Sequence, residues 1–167
     1  WFLQQFSPDV IEVGATTPYY CAFSKETKHQ VTNHQVIDPL DKWPGCIRKT
    51  ALELDYTSTN LLSISTIEHI GRGDDQVAVE LLNTIASKST NYLVTWATHW
   101  HAGLDAFAES GQVPVIKLNR VEYSRWEIAP DLKSSYYGFI GGGGRGPFPF
   151  GNGVYVVTNC KELHGKS

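Results

Sequence analysis

The feature that most constrains the fold is a helical segment enclosed between two apolar, β-branched runs. Residues 74–90, DDQVAVELLNTIASKST, carry apolar side chains at mostly helical spacing, and two aspartates stand where the helix would begin. The runs NLLSIST (60–66) and NYLVTWAT (91–98) on either side have the length and composition of buried strands. Two strands joined by a helix form a parallel βαβ unit with a right-handed crossover. The chain is therefore expected to contain a parallel sheet.

Three shorter runs before this unit extend the predicted sheet. Residues 9–14 (DVIEVG), 34–38 (HQVID) and 50–56 (TALELDY) each predict a short strand that ends at a glycine or near an acidic residue. Together with the βαβ unit they make the first two thirds of the chain an alternating α/β arrangement.

The pattern changes after residue 100. Residues 101–111 predict a short helix that ends at a glycine, and residues 115–128 (VIKLNRVEYSRWEI) alternate like an antiparallel strand pair. A glycine- and proline-rich loop at 141–153 leads into the apolar strand VYVVTN. We therefore predict a mostly parallel sheet with helices on both faces and an antiparallel C-terminal edge hairpin.

Composition narrows the class of protein. The 167 residues, 41% hydrophobic and 19% charged, suit one globular domain over 1–167. Trp1 in place of a methionine predicts that the native N-terminus begins earlier. A net charge of -3 argues against nucleic acid as the main partner, and no apolar run approaches the roughly 20 residues that span a bilayer. The sequence has three dispersed cysteines, Cys21, Cys46 and Cys160. This distribution indicates a reducing compartment, the cytoplasm, and argues against a disulfide framework or a structural zinc site.

Polar side chains follow the predicted strands where each strand ends. In open α/β sheets, ligands bind outside the carboxyl ends of the strands. The small, acidic and histidine residues at these ends are therefore expected to share one crevice: Glu12, Gly14, Asp38, Asp55, Ser65, Thr66, Glu68, His69, Thr98, His99 and His101. Individually, each has a simpler explanation. Asp38 before Pro39 is a common turn former, and Glu68 with His69 suits a solvated pair or a helix cap.

Two further segments have features of ligand sites, one of a metal site and one of a phosphate-binding loop. His99 and His101 lie two apart and could share a metal ion with Asp105 nearby, but no third ligand follows at a recognisable spacing, so no metal site is predicted. The glycine run at 141–144 lacks a following helix and a Gly-Lys-Ser/Thr sequence, which excludes a phosphate-binding loop of that type.

The motifs taken in order resemble class I S-adenosylmethionine-dependent methyltransferases. The resemblance rests on DVIEVG, HQVIDP, LELDY and LLSISTIEHIG, and covers residues from about 9 to 158. More narrowly, STIEHIG and GPFPFGNGVYVV are similar to a subgroup with a Ser-Thr-x-Glu-His-x-Gly motif after the fourth strand and a Pro-Phe-Pro segment before the last. The resemblance implies a Rossmann-like α/β fold and S-adenosylmethionine as cofactor.

The resemblance also implies roles for individual residues. Glu12 and Gly14 would lie beside the methionine part of the cofactor, with Ala15 next along the loop. Asp38 would accept hydrogen bonds from the ribose hydroxyls, and Asp55 would lie near the adenine amino group. The remaining positions follow the fourth strand: Ser65 and Thr66 under the cofactor, and Glu68 and His69 on the methyl-transfer side.

The first loop departs from the family pattern. It reads GATTPYY, with Ala15, Thr16 and Thr17 where further glycines are usual, and Pro18 stiffens it. Two functions follow from this combination of features. One is methyl transfer to a small-molecule or glycan acceptor, with His69 as general base and Glu68 either orienting it or binding the acceptor. His99 and His101 are the second choices for the base. The alternative is a non-catalytic methyltransferase-like domain that binds a metabolite or a protein partner. A nucleotide-sugar or dinucleotide enzyme is disfavoured, because no G-x-G-x-x-G follows the first predicted strand.

Overall fold

The computed structural model describes residues 1–14, 32–40, 45–71, 74–119 and 153–165. These residues form a seven-stranded sheet whose strands we number in chain order: β1 (Val10–Val13), β2 (Gln35–Ile37), β3 (Cys46–Ile47), β4 (Asn60–Ile64), β5 (Asn91–Ala97), β6 (Val115–Asn119) and β7 (Gly153–Thr158). The helices within the same ranges are α1 (Phe2–Phe6), α2 (Asp75–Lys88), α3 (Ala102–Glu109) and α4 (Lys161–His164), with 3-10 helices at Ala51–Glu53 and Ile67–His69.

The strand order confirms the predicted fold class. The order is β3-β2-β1-β4-β5-β7-β6. All pairs from β3 to β5 are parallel, whereas β7 pairs antiparallel with both β5 and β6. The chain order reverses between β1 and β4, which makes the carboxyl ends of these strands the topological switch point where ligands bind in open α/β sheets.

Both faces of the sheet are covered, as the prediction required. Alternate residues of β4 supply the two cores, since successive strand side chains point to opposite faces. Leu61 belongs to the cluster that contains the buried residues of α2 and α3, whereas Leu62 and Ile64 belong to the cluster that contains Phe2, Leu3 and Leu163 from α1 and α4. Each fully buried leucine contributes about 2 kcal/mol to folding.

Helix α2 forms where its periodicity predicted. Its buried residues have the i, i+3, i+4, i+7 spacing of one helix face: Ala78, Leu81, Leu82 and Ile85. The Asp74 side chain caps the helix by accepting a hydrogen bond from the backbone N–H of Gln76 at 3.0 Å. No helix in the described ranges is both long and apolar enough to cross a membrane.

The predicted strand at 50–56 is wrong. This segment contains a 3-10 helix at Ala51–Glu53, and the third strand is the two-residue β3, which pairs with β2. The cause is local hydrogen bonding, because the backbone N–H of Thr50 donates to Glu53 Oε2 at 2.7 Å and the hydroxyl of Tyr56 donates to the carbonyl of Ala51 at 2.6 Å. These bonds turn the chain before it can pair as a strand. Of the strand pair predicted at 115–128, β6 forms, and residues 120–128 and the loop at 141–152 lie outside the described residues.

Candidate functional site

A cavity of about 400 Å³ opens at the carboxyl ends of β1, β2 and β4. Its walls come from the ends of β1 and β2, from the turn after β2, from the first 3-10 helix and from the segment between β4 and α2. Of the residues predicted from the sequence, the structure brings these four to its lining: Gly14, Asp38, Thr66 and His69. The volume lies within the range of about 300–1,000 Å³ that small-molecule sites occupy.

Gly14 lies in the cavity wall, where the end of β1 packs against Thr66. It has a φ of +78°, and a Cβ at this position would lie 2.0 Å from Oγ1 of Thr66. The backbone N–H of Gly14 donates to the carbonyl of Ile37 at 2.8 Å, which ties the end of β1 to the end of β2. The Thr66 hydroxyl in turn donates to the carbonyl of Ile64 at 3.2 Å. Only glycine fits here, because both the conformation and the space exclude a side chain.

Asp38 lies at the end of β2 on the same rim. Its backbone N–H donates to the carbonyl of Ile47 at 3.1 Å, and its Oδ1 accepts from the backbone N–H of Leu40 at 2.8 Å. These two bonds fix both the backbone and the side chain of a half-buried carboxylate. An acid held in this way presents an oriented hydrogen-bond acceptor at the cavity wall.

Two exposed leucines that the sequence analysis did not single out line the cavity. Leu40 is 82% exposed and Leu52 is 59% exposed. They approach the cavity from the turn after β2 and from the first 3-10 helix. Their position beside a cavity indicates an apolar ligand surface. Leu40 belongs to no periodic pattern, and the weak alternation that includes Leu52 predicted a strand rather than a cavity wall.

Glu68 and His69 adopt different environments although they are adjacent. The Glu68 side chain is buried, and burial raises the pKa of its carboxyl to about 8. Within the described residues, its Oε2 has no hydrogen-bond partner. The His69 side chain is half exposed and lines the cavity, and partial burial lowers the pKa of its imidazole. His69 Nε2 lies 4.0 Å from Glu68 Oε1, which is too far for a hydrogen bond. Near neutral pH both groups are therefore mainly uncharged.

The other predicted site residues lie away from the cavity lining. Glu12 is fully buried in β1, where its Oε2 lies 2.6 Å from Nε2 of His34. The other ring nitrogen of His34 is hydrogen-bonded to Oγ1 of Thr32. Ser65 is buried with a φ of +50°, and its backbone N–H donates to the carbonyl of Thr95 at 3.0 Å.

Asp55 and Ala15 are the remaining members of the predicted set. Asp55 is exposed and accepts the backbone N–H of Thr57 at 2.9 Å, a bond that lowers the pKa of its carboxyl. It does not line the cavity, because the 3-10 helix at Ala51–Glu53 turns the chain before this residue. Ala15 lies outside the described residues.

The histidines after β5 do not converge on one point. His101 is buried, and its Nδ1 caps α3 by accepting from the backbone N–H of Leu104 at 3.0 Å. Its Nε2 lies 3.3 Å from Oδ1 of Asp75. His99 is exposed, with a φ of +66°. Across the part of the chain that the structure describes, no three His, Cys, Asp or Glu side chains are grouped to hold a metal ion.

Asp105 anchors the turn after β5, which carries His99. The position of Asp105 in the sequence did not reveal this role. Its Oδ1 accepts from Nε1 of the buried Trp96 at 2.8 Å, and its Oδ2 accepts from the backbone N–H of His99 at 2.8 Å. One carboxylate thereby joins β5, the following turn and α3. The same turn exposes Trp100, whose ring packs edge-on against that of His69 with 5.4 Å between centroids.

Asp105→Asn is expected to lower the free energy of unfolding by about 2 kcal/mol, because the amide of asparagine can accept only one of the two N–H groups with its oxygen and places a donor against the other. Urea denaturation measures this change. Asp74→Asn is the matched control, since asparagine caps a helix as well as aspartate does, and it should change stability by less than about 0.5 kcal/mol. Equal effects of the two substitutions would contradict the proposed anchoring by Asp105.

Comparisons with known proteins give structural matches at low identity. No family model and no curated protein matches the sequence. Among solved structures, an antibiotic-related methyltransferase matches with a TM-score of 0.49 and 13% identity over 95% of this chain and 90% of that one. The magnesium protoporphyrin IX methyltransferase of Synechocystis PCC 6803, crystallised with bound SAM, matches with a TM-score of 0.44 and 10% identity over 70% of this chain and 65% of that one.

Proposed function

We propose that the protein transfers a methyl group from S-adenosylmethionine to a small-molecule or glycan acceptor. The observation that carries this proposal is the arrangement of Gly14, Asp38 and Thr66 around one cavity at the topological switch point. A glycine that no side chain can replace lets backbone approach a ligand closely, and an oriented carboxylate on the same rim suits a vicinal diol.

The cavity lining fits an adenosine group. The Asp38 carboxylate would accept hydrogen bonds from the two ribose hydroxyls. The exposed side chains of Leu40 and Leu52 would cover the faces of a planar base, which removes apolar surface from water on both sides. Gly14 and Thr66 would then lie beside the methionine part. When bound, S-adenosylmethionine supplies an electrophilic methyl carbon, so the protein contributes mainly proximity and alignment.

The other residues predicted from the sequence have the following roles in this proposal. Glu12, held by His34, would fix the end of β1 rather than contact the cofactor. Ser65 would set the turn that brings Thr66 against Gly14. His69 would accept a proton from the acceptor, and the neutral Glu68 beside it would leave the imidazole unprotonated. Leu40 and Leu52 would contact the adenine in place of Asp55, which does not line the cavity.

Asp38→Ala tests the cofactor assignment directly. It should weaken binding of both S-adenosylmethionine and S-adenosylhomocysteine about tenfold, because the loss of a charge-assisted hydrogen bond costs about 1.5 kcal/mol. Isothermal titration calorimetry measures both affinities. The control is Asp9→Ala, which removes an exposed carboxylate at the opposite end of β1 and should leave both affinities unchanged. Absence of binding by the unmodified protein would refute the proposal.

A non-catalytic binding domain is the second candidate, and the composition of the first loop favours it. Ala15, Thr16 and Thr17 stand where cofactor-binding loops of this type usually carry glycine. This alternative predicts no heat of binding with either ligand. For the cellular setting we propose the cytoplasm, because the three cysteines of the sequence are dispersed and include no C-x-x-C pair.

A further inference from the structure

The exposed ring of Trp100 stands next to the cavity without lining it. Trp100 is 39% exposed, and its ring is inclined at 76° to that of His69 with 5.4 Å between the centroids. His69 therefore has one side in the cavity and another against Trp100. The two rings form a short aromatic surface that continues from the cavity mouth, which we call the Trp100–His69 surface.

We propose that the Trp100–His69 surface binds the methyl acceptor, and that this acceptor is an uncharged aromatic ring bearing a hydroxyl group. The inference rests on the proposed function and names the substrate class of that site. An indole ring offers a large, rigid surface for stacking or edge-on contact with another aromatic ring. The adjacent imidazole offers a proton acceptor at the edge of that surface.

The charges around His69 support an uncharged acceptor. Glu68 Oε1, 4.0 Å away, belongs to a buried carboxyl that is mainly protonated near neutral pH. Neither Glu68 nor His69 therefore offers a charge that would pair with a carboxylate or an ammonium group of an acceptor.

Among the described residues, the aspartates and the buried histidine of the neighbouring elements are held by partners of their own. Asp74 binds the backbone of Gln76, and Oδ1 of Asp75 lies 3.3 Å from His101 Nε2. Asp105 takes two N–H groups from β5 and the turn after it, and His101 caps α3. His99 is exposed on the same turn, where its backbone N–H is bound by Asp105. In this set, Glu68 is the carboxyl that lies near the His69 imidazole.

The basicity of His69 favours a phenol over an aliphatic alcohol. Burial lowers the pKa of this imidazole below its ordinary value of 6.5. A phenolic hydroxyl has a pKa of about 10, whereas a hydroxyl comparable to that of water has one near 15.7. A weak base can assist the first group, whereas the pKa of the second lies about 6 units further above that of the base. The acceptor oxygen forms the bond to the methyl carbon, the carbon–sulfur bond breaks with its electron pair on sulfur, and the hydroxyl proton moves to the imidazole.

Binding is measured on the full chain saturated with S-adenosylhomocysteine, using saturation-transfer NMR with 4-methylphenol, 4-methylbenzoate and cyclohexanol. The phenol should bind at least tenfold more tightly than the other two probes. Trp100→Ala should weaken phenol binding about tenfold, whereas Trp100→Phe, which keeps a ring, should stay within about threefold. Ile47→Ala is the matched control, since Ile47 is also 39% exposed but lies outside the cavity lining.

Turnover distinguishes a proton acceptor from a structural residue. His69→Gln should slow methylation of 4-methylphenol about a hundredfold with little change in KM, and should slow methylation of 4-nitrophenol far less, because that phenol already ionises near neutral pH. If S-adenosylhomocysteine binds but the phenol does not, or if Trp100→Ala leaves phenol binding unchanged, this inference is overturned while the proposed function stands. Failure of S-adenosylhomocysteine itself to bind overturns the proposed function instead.

Discussion

Gly14→Ala is expected to lower the free energy of unfolding by about 3 kcal/mol and to abolish binding of S-adenosylmethionine. The new Cβ would lie 2.0 Å from Oγ1, 2.1 Å from Cγ2 and 2.5 Å from Cβ of Thr66. Rotation about χ1 of Thr66 can move the first two atoms but not its Cβ, which the backbone fixes. The backbone of one strand end must therefore shift, and an overpacked site costs about 1–3 kcal/mol in addition to the cost of a positive φ.

Gly111→Ala separates these two contributions. Gly111 has nearly the same φ, +79°, and a Cβ there would meet no atom within 4 Å. This substitution should cost about 1 kcal/mol, the conformational term alone, and should leave cofactor binding unchanged. The double substitution Gly14→Ala with Thr66→Gly removes the collision and should recover part of the stability. Urea unfolding and calorimetric titration measure both properties, and equal losses for Gly14→Ala and Gly111→Ala would show that the contact with Thr66 is unimportant.

The central part of the fold was predictable because its determinants are local. Helix α2 carries a helical periodicity and its flanking strands β4 and β5 are continuous apolar runs, and the described structure reproduces all three. Strand β3 has two residues and forms through its pairing with β2, so no pattern within it could be read. The segment 50–56 alternates weakly like a strand, but a bond between Thr50 and Glu53 turns it into a 3-10 helix. Short-range hydrogen bonds outweighed the alternation there.

The lining of the candidate cavity was predictable only where it depends on strand ends. Gly14, Asp38 and Thr66 meet because parallel strands bring their carboxyl ends to one edge, and this geometry follows from the topology alone. Leu40 and Trp100 carry no comparable signal, since an isolated exposed apolar residue looks like any surface residue until its neighbours are known. The pairing that buries Glu12 also depends on tertiary structure, because His34 is 22 positions away.

Glu68→Gln is expected to raise the free energy of unfolding at pH 7 by about 3 kcal/mol relative to the unmodified protein. Burial raises the pKa of Glu68 from 4.5 to about 8. Between these values the folded state holds a proton that the unfolded state has lost, so stability falls as the pH rises. The cost of keeping this carboxyl buried is absent below pH 4.5, grows through neutral pH and becomes constant above pH 8. Glutamine has nearly the same shape and does not titrate.

The measurement is the difference in unfolding free energy between the two proteins from pH 4 to pH 9, obtained from urea denaturation. The difference should grow by about 1.4 kcal/mol per pH unit within the window set by the two pKa values. Glu53→Gln serves as a control of opposite sign, because the hydrogen bond from the backbone of Thr50 lowers the pKa of the exposed Glu53. A difference that does not change with pH would mean that Glu68 is ionised in the folded protein. The carboxylate would then raise the pKa of His69 4.0 Å away and weaken the case for this imidazole as a proton acceptor at neutral pH.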